Sequence, residues 1–136
     1  MSFPINSTSV QTAPCKRVGR VMQRARVASL ISHGGCYNCR KISGSSVYSQ
    51  HAWGNALDLF PEQSVHNDEI ADAVVYQATH RTKVNRLRKL KVAEVIDHLN
   101  RRMWTPAGGW RSYGGTIGPH VHVTAAPKKY GTPGCA

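Results

Sequence analysis

The sequence predicts one small domain in which helices and strands are mixed, and three observations predict it. Residues 17–31 and 67–80 carry apolar side chains at helical spacing. Residues 57–59 and 120–124 alternate apolar with polar side chains, the period of a half-buried strand. A chain of 136 residues, 40% of them apolar, is long enough for a single sizeable core.

Residues 1–14 read as a flexible N-terminal arm, polar and rich in Ser, Thr and Asn, leaving residues 15–136 as the domain. In 17–31, Val18, Val21, Met22, Ala25 and Ala28 recur on one helical face, with arginines outside. Gly34-Gly35 ends that helix, and a loop-rich stretch runs through Gly44-Ser45-Ser46. Leu57 and Leu59 flank Asp58 in a strand that Pro61 stops. Asn67 is the expected cap of the next helix, with Asp68 and Glu69 in its positive first turn. Residues 92–104 fit two structures. Val92, Val95, Ile96 and Leu99 suit a helix, whereas 92–96 turning at Asp97-His98-Leu99-Asn100 suits a hairpin. Residues 106–119, with five glycines, read as a loop. Val121 and Val123 then alternate with His120, His122 and Thr124 as a strand.

Composition narrows the partners. Eighteen Lys and Arg against seven Asp and Glu give a formal charge of +11, which draws the chain toward a polyanion: nucleic acid, an anionic membrane face or an anionic cell wall. The basic residues gather in 16–26 and 81–91, and a solvated surface is the plain alternative for each run. The second run has no aromatic residue on which bases could stack, which argues against nucleic acid. A nuclease built on several metal-binding carboxylates is also disfavoured, because Asp58 is the only acid in the histidine-bearing segments 49–58 and 120–122. No run approaches the roughly 18 apolar residues of a membrane span. Residues 1–14 lack the charged-then-apolar pattern of a secretory signal, so the expectation is a chain made in a cytoplasm and acting after release. The cysteines leave alternatives open. Cys36-x-x-Cys39 has the spacing of half a zinc knuckle, Cys15 and Cys135 could close the chain as a disulfide, and all four could be free.

The chemistry concentrates in Ser49-Gln50-His51-Ala52-Trp53-Gly54-Asn55-Ala56-Leu57-Asp58 and in His120-Val121-His122. A hydrolytic zinc takes three protein ligands and keeps its fourth position open. Asp58 on one strand and His122 on a neighbouring strand would converge over a sheet, and a tight turn at Gly54 would bring His51 to the same point. A carboxylate set between leucines is costly unless something positive faces it. His33, His66, His80 and His98 lack such a context and read as surface residues.

The pattern Ser49-x-His51-x-x-Gly54-x-Ala56-x-Asp58, followed downstream by a strand histidine, resembles the zinc D-Ala-D-Ala carboxypeptidases and L-Ala-D-Glu endopeptidases, including phage endolysin domains. Cys39-Arg40 and the stretch from Met103-Trp104 through Gly109-Trp110-Arg111 to His120-Val121-His122 extend the likeness over roughly residues 30–126. The resemblance implies an α+β fold, with a small antiparallel sheet flanked by helices and a single zinc site on the sheet. It implies a hairpin for 92–104, His51, Asp58 and His122 as zinc ligands, and Arg40 and Ser49 at the substrate side. The implied activity is hydrolysis of peptidoglycan stem peptides or cross-links, as a lysin or a virion-borne wall hydrolase, with the anionic wall as a second partner. Where that family carries a Glu or Asp as general base, three residues before the last ligand, this chain has Pro119. His120 is left as the catalytic base, and a non-catalytic binding protein of the same fold is the alternative.

Overall fold

The computed structural model of the chain describes residues 2–6, 14–36, 38–115 and 118–135. Its centre is a seven-stranded sheet of β1 (Ile5–Asn6), β2 (Ile31–Gly35), β3 (Ala56–Pro61), β4 (Val92–Asp97), β5 (Arg102–Thr105), β6 (Gly109–Ser112) and β7 (Val121–Ala125). The spatial order is β1-β2-β3-β7-β4-β5-β6, parallel between β1 and β2 and antiparallel elsewhere. Two helices, α1 (Pro14–Arg24) and α2 (Asn67–Thr79), complete an α+β architecture. Among the described residues no helix is long and apolar enough to cross a membrane.

Strand alternation decides which face holds the core. Leu57, Leu59, Val95, Val121 and Val123 are all fully buried and join Val18, Val21 and Met22 of α1 and Ile70, Ala71 and Val74 of α2 in one cluster. Asp58 and His122 occupy the intervening positions, so they project from the opposite face. Both helices therefore cover one face and leave the other to the polar residues.

Several local expectations are corrected. The helix expected over 17–31 stops at Arg24, because Ala25 turns extended (φ −75°, ψ 159°). A short 3-10 turn follows, and Ile31–Gly35 pairs with β3 instead. The apolar spacing at 27–31 fits a helix, but a strand pairing that buries Ile31 overrides it. The start of the arm is held in place: Phe3 is buried, its carbonyl accepts from Gln23 Nε2 at 2.9 Å, and Ile5 pairs with Gly34. The remainder of the arm, 7–13, lies outside the described residues. Within 106–119, residues 109–112 are not loop but the strand β6, with Trp110 opposite Trp104 and the Arg102 guanidinium 3.8 Å from the Trp110 ring centre.

Residues 92–104 form the hairpin β4–β5. Asp97, fully buried at its turn, accepts from Asn100 N and Nδ2, from Arg102 Nε and from Asn67 Nδ2. Four donors on one carboxylate outweigh what burial costs it and hold its pKa below the usual range. Asn67 is thus not the cap of α2. Its side chain turns inward to Asp97, and no side chain caps the helix at His66. The cysteines pair as Cys15–Cys36 and Cys39–Cys135, which replaces both the Cys15–Cys135 closure and the half-knuckle reading.

Candidate metal centre

The centre is assembled from one turn and two strands. Ser49 Oγ accepts from His51 N at 3.3 Å and opens a 3-10 turn, Gln50–Trp53, that Gly54 closes in the left-handed region at φ 65°. Asn55, fully buried, ties this turn to the end of β7 by donating its amide to Gln50 Oε1, Ala125 O and Pro127 O. Asp58 on β3 stands directly opposite His122 on β7. His51 Nε2 lies 3.2 Å and His122 Nδ1 3.1 Å from Asp58 Oδ1.

Hydrogen bonds on the outer side of each ring fix which nitrogen carries the proton. His51 Nδ1 is 2.7 Å from the Cys36 carbonyl, which only accepts, so Nδ1 is the donor and Nε2 keeps its lone pair. Thr124 Oγ1 gives its proton to Glu94 Oε1 at 3.0 Å, so it accepts from His122 Nε2 at 2.8 Å, and Nδ1 keeps the lone pair. Two ring lone pairs and a carboxylate oxygen then face one another. Only positive charge reconciles them, as a proton on each ring or as one ion bound by all three.

The spacing fits an ion. Bonds of about 2.0–2.1 Å place the ligand atoms of a tetrahedral site roughly 3.3 Å apart, close to the 3.1 and 3.2 Å found here. All three ligand atoms fall within 4.8 Å of one another, and His51 Nε2 is buried without a well-directed hydrogen-bond partner. The titration behaviour has the same cause. Burial opposes the Asp58 carboxylate, but with a proton on the facing nitrogen of each ring, the contacts and charges of His122 and His51 outweigh it, and its pKa falls far below the carboxylate range. Burial also opposes charge on His51, and the Asp58 carboxylate outweighs it, so that pKa is raised. His51, Asp58 and His122 can hold a metal ion.

Compared with known protein families, characterised proteins and solved structures, the chain matches none. The site stands on its own geometry.

His120 is the fourth group at the centre. Its Nδ1 donates to Gly118 O at 3.0 Å, so its Nε2 lone pair turns inward, 3.8 Å from Asp58 Oδ1. The ring is held between Phe60 at 5.4 Å and His98 at 4.3 Å, both stacked. Burial leads in lowering its pKa, which keeps the imidazole neutral. Arg40 and His51 share a pocket with Asn6, Gly35, Asn38, Asp58 and Phe60. Arg40 is exposed there, and its charge opposes protonation of His51. Ser49 is buried, and its side chain supports the His51 turn rather than reaching the pocket.

His98 corrects the surface reading. It is 6% exposed, stacked on His120 and edge-on to Tyr113 at 5.7 Å, and burial followed by the charges of His120 and His122 pushes its pKa down to about 4. Two contacts across separate elements fix the His120 backbone: Asn67 Nδ2 and His98 N both donate to its carbonyl. For the roles they play here, Glu94, His98, Asn67 and Asn55 carried no recognisable signal in the sequence. Thr124 alone had a cue, since it lies two residues beyond His122 on the same strand face.

Proposed function

We propose that the chain is a zinc-dependent peptidase that cleaves stem peptides or cross-links of peptidoglycan, acting as a phage lysin or a virion-associated wall hydrolase. The observation that carries the reading is the convergence of the His51, Asp58 and His122 lone pairs beside a neutral His120. Two imidazoles and one carboxylate, with a side left open, suit zinc better than the oxygen-seeking divalent ions. A zinc ion held there supplies Lewis-acid polarisation of a carbonyl and lowers the pKa of water to about 7. His120 Nε2 accepts the proton released from the attacking water and returns it to the leaving amine. Its partners, the Gly118 carbonyl and the stacked rings of Phe60 and His98, hold it in position. Arg40, at the pocket, pairs with a carboxylate of the peptide. The likeness of residues 49–58 and 120–122 to the peptidoglycan peptidases supports this substrate class.

Digestion of purified peptidoglycan, followed by mass spectrometry of the muropeptides, tests the reading. Cleaved stems that vanish with a chelator and return with zinc are expected. Intact muropeptides from metal-loaded protein would leave a second reading, a zinc-containing wall- or virion-binding protein, which Pro119 favours by standing where an acidic base is usual.

A further inference from the structure

The densest charge on the molecule lies away from the metal centre. α1 carries Arg17, Arg20 and Arg24 at spacings of three and four, hence on one side of the helix. α1 packs through Val18, Val21 and Met22 onto the sheet face opposite Asp58 and His122. Arg17, Arg20 and Arg24 surround a hollow together with Val84, Asn85 and Arg86. An adjoining hollow is lined by Arg17 and Asn85 again, with Arg88, Lys89 and Lys91. Two basic runs some sixty residues apart in sequence thus meet on one surface.

No Asp or Glu is among the described residues that line the two hollows. Neither 14–30 nor 81–91 contains an Asp or Glu. Arg102 and Lys128, which do pair with carboxylates, lie elsewhere. Like charges one helical turn apart destabilise a helix. Arg86 and Leu87 also adopt left-handed backbone (φ 52° and 58°), conformations that side chains resist and that collect at functional sites. Asn85 sits where the two hollows join. It is 2% exposed, its Oδ1 accepts from Arg17 Nη2 at 2.7 Å, and its Nδ2 is a buried donor with no hydrogen-bond partner among the described residues.

We propose that this face binds a phosphate-bearing polymer of the cell wall, a polyol phosphate, and holds the molecule with its metal pocket turned away from the polymer. The inference rests on the peptidase reading. Charge complementarity identifies a polyanion, and Asn85, whose buried amide nitrogen has no partner among the described residues, lines both hollows that would receive it. Neither hollow is lined by an aromatic residue on which a nucleic-acid base could stack.

Cosedimentation of the zinc-loaded chain tests this, using walls that carry the polymer, the same walls stripped of it by acid, and competing duplex DNA at equal phosphate. Polymer-bearing walls should retain the protein, with retention falling about tenfold or more between 50 and 200 mM salt, and stripped walls should not. The exposed-residue variant R20Q/R24Q/R86Q/R88Q/K89Q should lose at least tenfold in retention, and a version with lysine at the four arginines should keep it. Cleavage of a short soluble stem peptide should be unchanged in both. Equal retention on stripped walls, unchanged retention of the glutamine variant, or displacement by DNA well below equal phosphate each overturns the proposal. Wall retention without peptide cleavage overturns the peptidase reading alone.

Discussion

Thr124 is the residue on which the His122 tautomer depends. Its hydroxyl accepts from Nε2 and donates to Glu94, whose other oxygen is 3.0 Å from Lys128 Nζ. Removing the hydroxyl frees the ring to protonate at Nδ1, the nitrogen that faces Asp58. Thr124→Val should therefore weaken zinc binding by about 10–100-fold, the usual effect of losing such an outer partner. Thr124→Ser, which keeps the hydroxyl, should restore most of it, and competition with a chromophoric chelator measures both. Equal affinities for the two variants would remove Thr124 from this role. In the proposed peptidase, His120 acts on the chemistry rather than on the metal. His120→Ala should lower turnover by about 10²–10⁴-fold while zinc content, read by elemental analysis, stays at wild-type level.

At the level of elements, the turn that carries His51 is held by its own hydrogen bonds and by a link to α1. The Cys36 carbonyl that orients His51 belongs to a residue joined by a disulfide to Cys15, and Cys15 N donates to Gly54 O at 3.0 Å. α1 is in this way tied to both sides of the His51 turn. The bridge spans 21 residues of sequence, and a loop of that length stabilises by about 3 kcal/mol in the chain-entropy account. Replacing Cys15 and Cys36 by Ser should lower the unfolding free energy by about that amount, and weaken zinc binding as well. Denaturant titration with and without zinc separates the two effects. If stability fell while zinc affinity held, the disulfide would be a staple for the fold alone.

For the whole molecule, buried histidines couple folding to pH. His98 titrates near 4 in the folded chain, below its ordinary value of 6.5, so the unfolded chain takes up that proton first. Its contribution to stability is complete above pH 6.5 and is lost as pH falls toward 4. His120, also lowered, acts in the same direction. In metal-free protein the raised pKa of His51 opposes this trend, so a decline of the urea midpoint between pH 6.5 and 4 reads what His98 and His120 contribute beyond it. His98→Phe, which fills the space without a titrating nitrogen, should flatten that decline. An unchanged slope in the variant would place the pH dependence elsewhere.

How much of this was legible without a structure depended on the range of the interaction. The alternation around Asp58 and His122, the glycine after His51 and the helical face of 67–80 are local patterns, set by side-chain periodicity and backbone sterics. They pointed to His51, Asp58 and His122, which the fold brings together as a group that could hold a metal ion, and to two of the strands. The hairpin at 92–104 was ambiguous, because Val and Ile serve both periods and only the buried Asp97 turn settles it. The pairing of cysteines, the burial of His98 and the meeting of the two basic runs depend on residues far apart in sequence. By itself the sequence determined which residues could bind a metal. Tertiary structure decided how their lone pairs point, because the partners that fix each ring, Cys36 for His51 and Thr124 with Glu94 for His122, are delivered by strand pairing and chain closure rather than by local spacing.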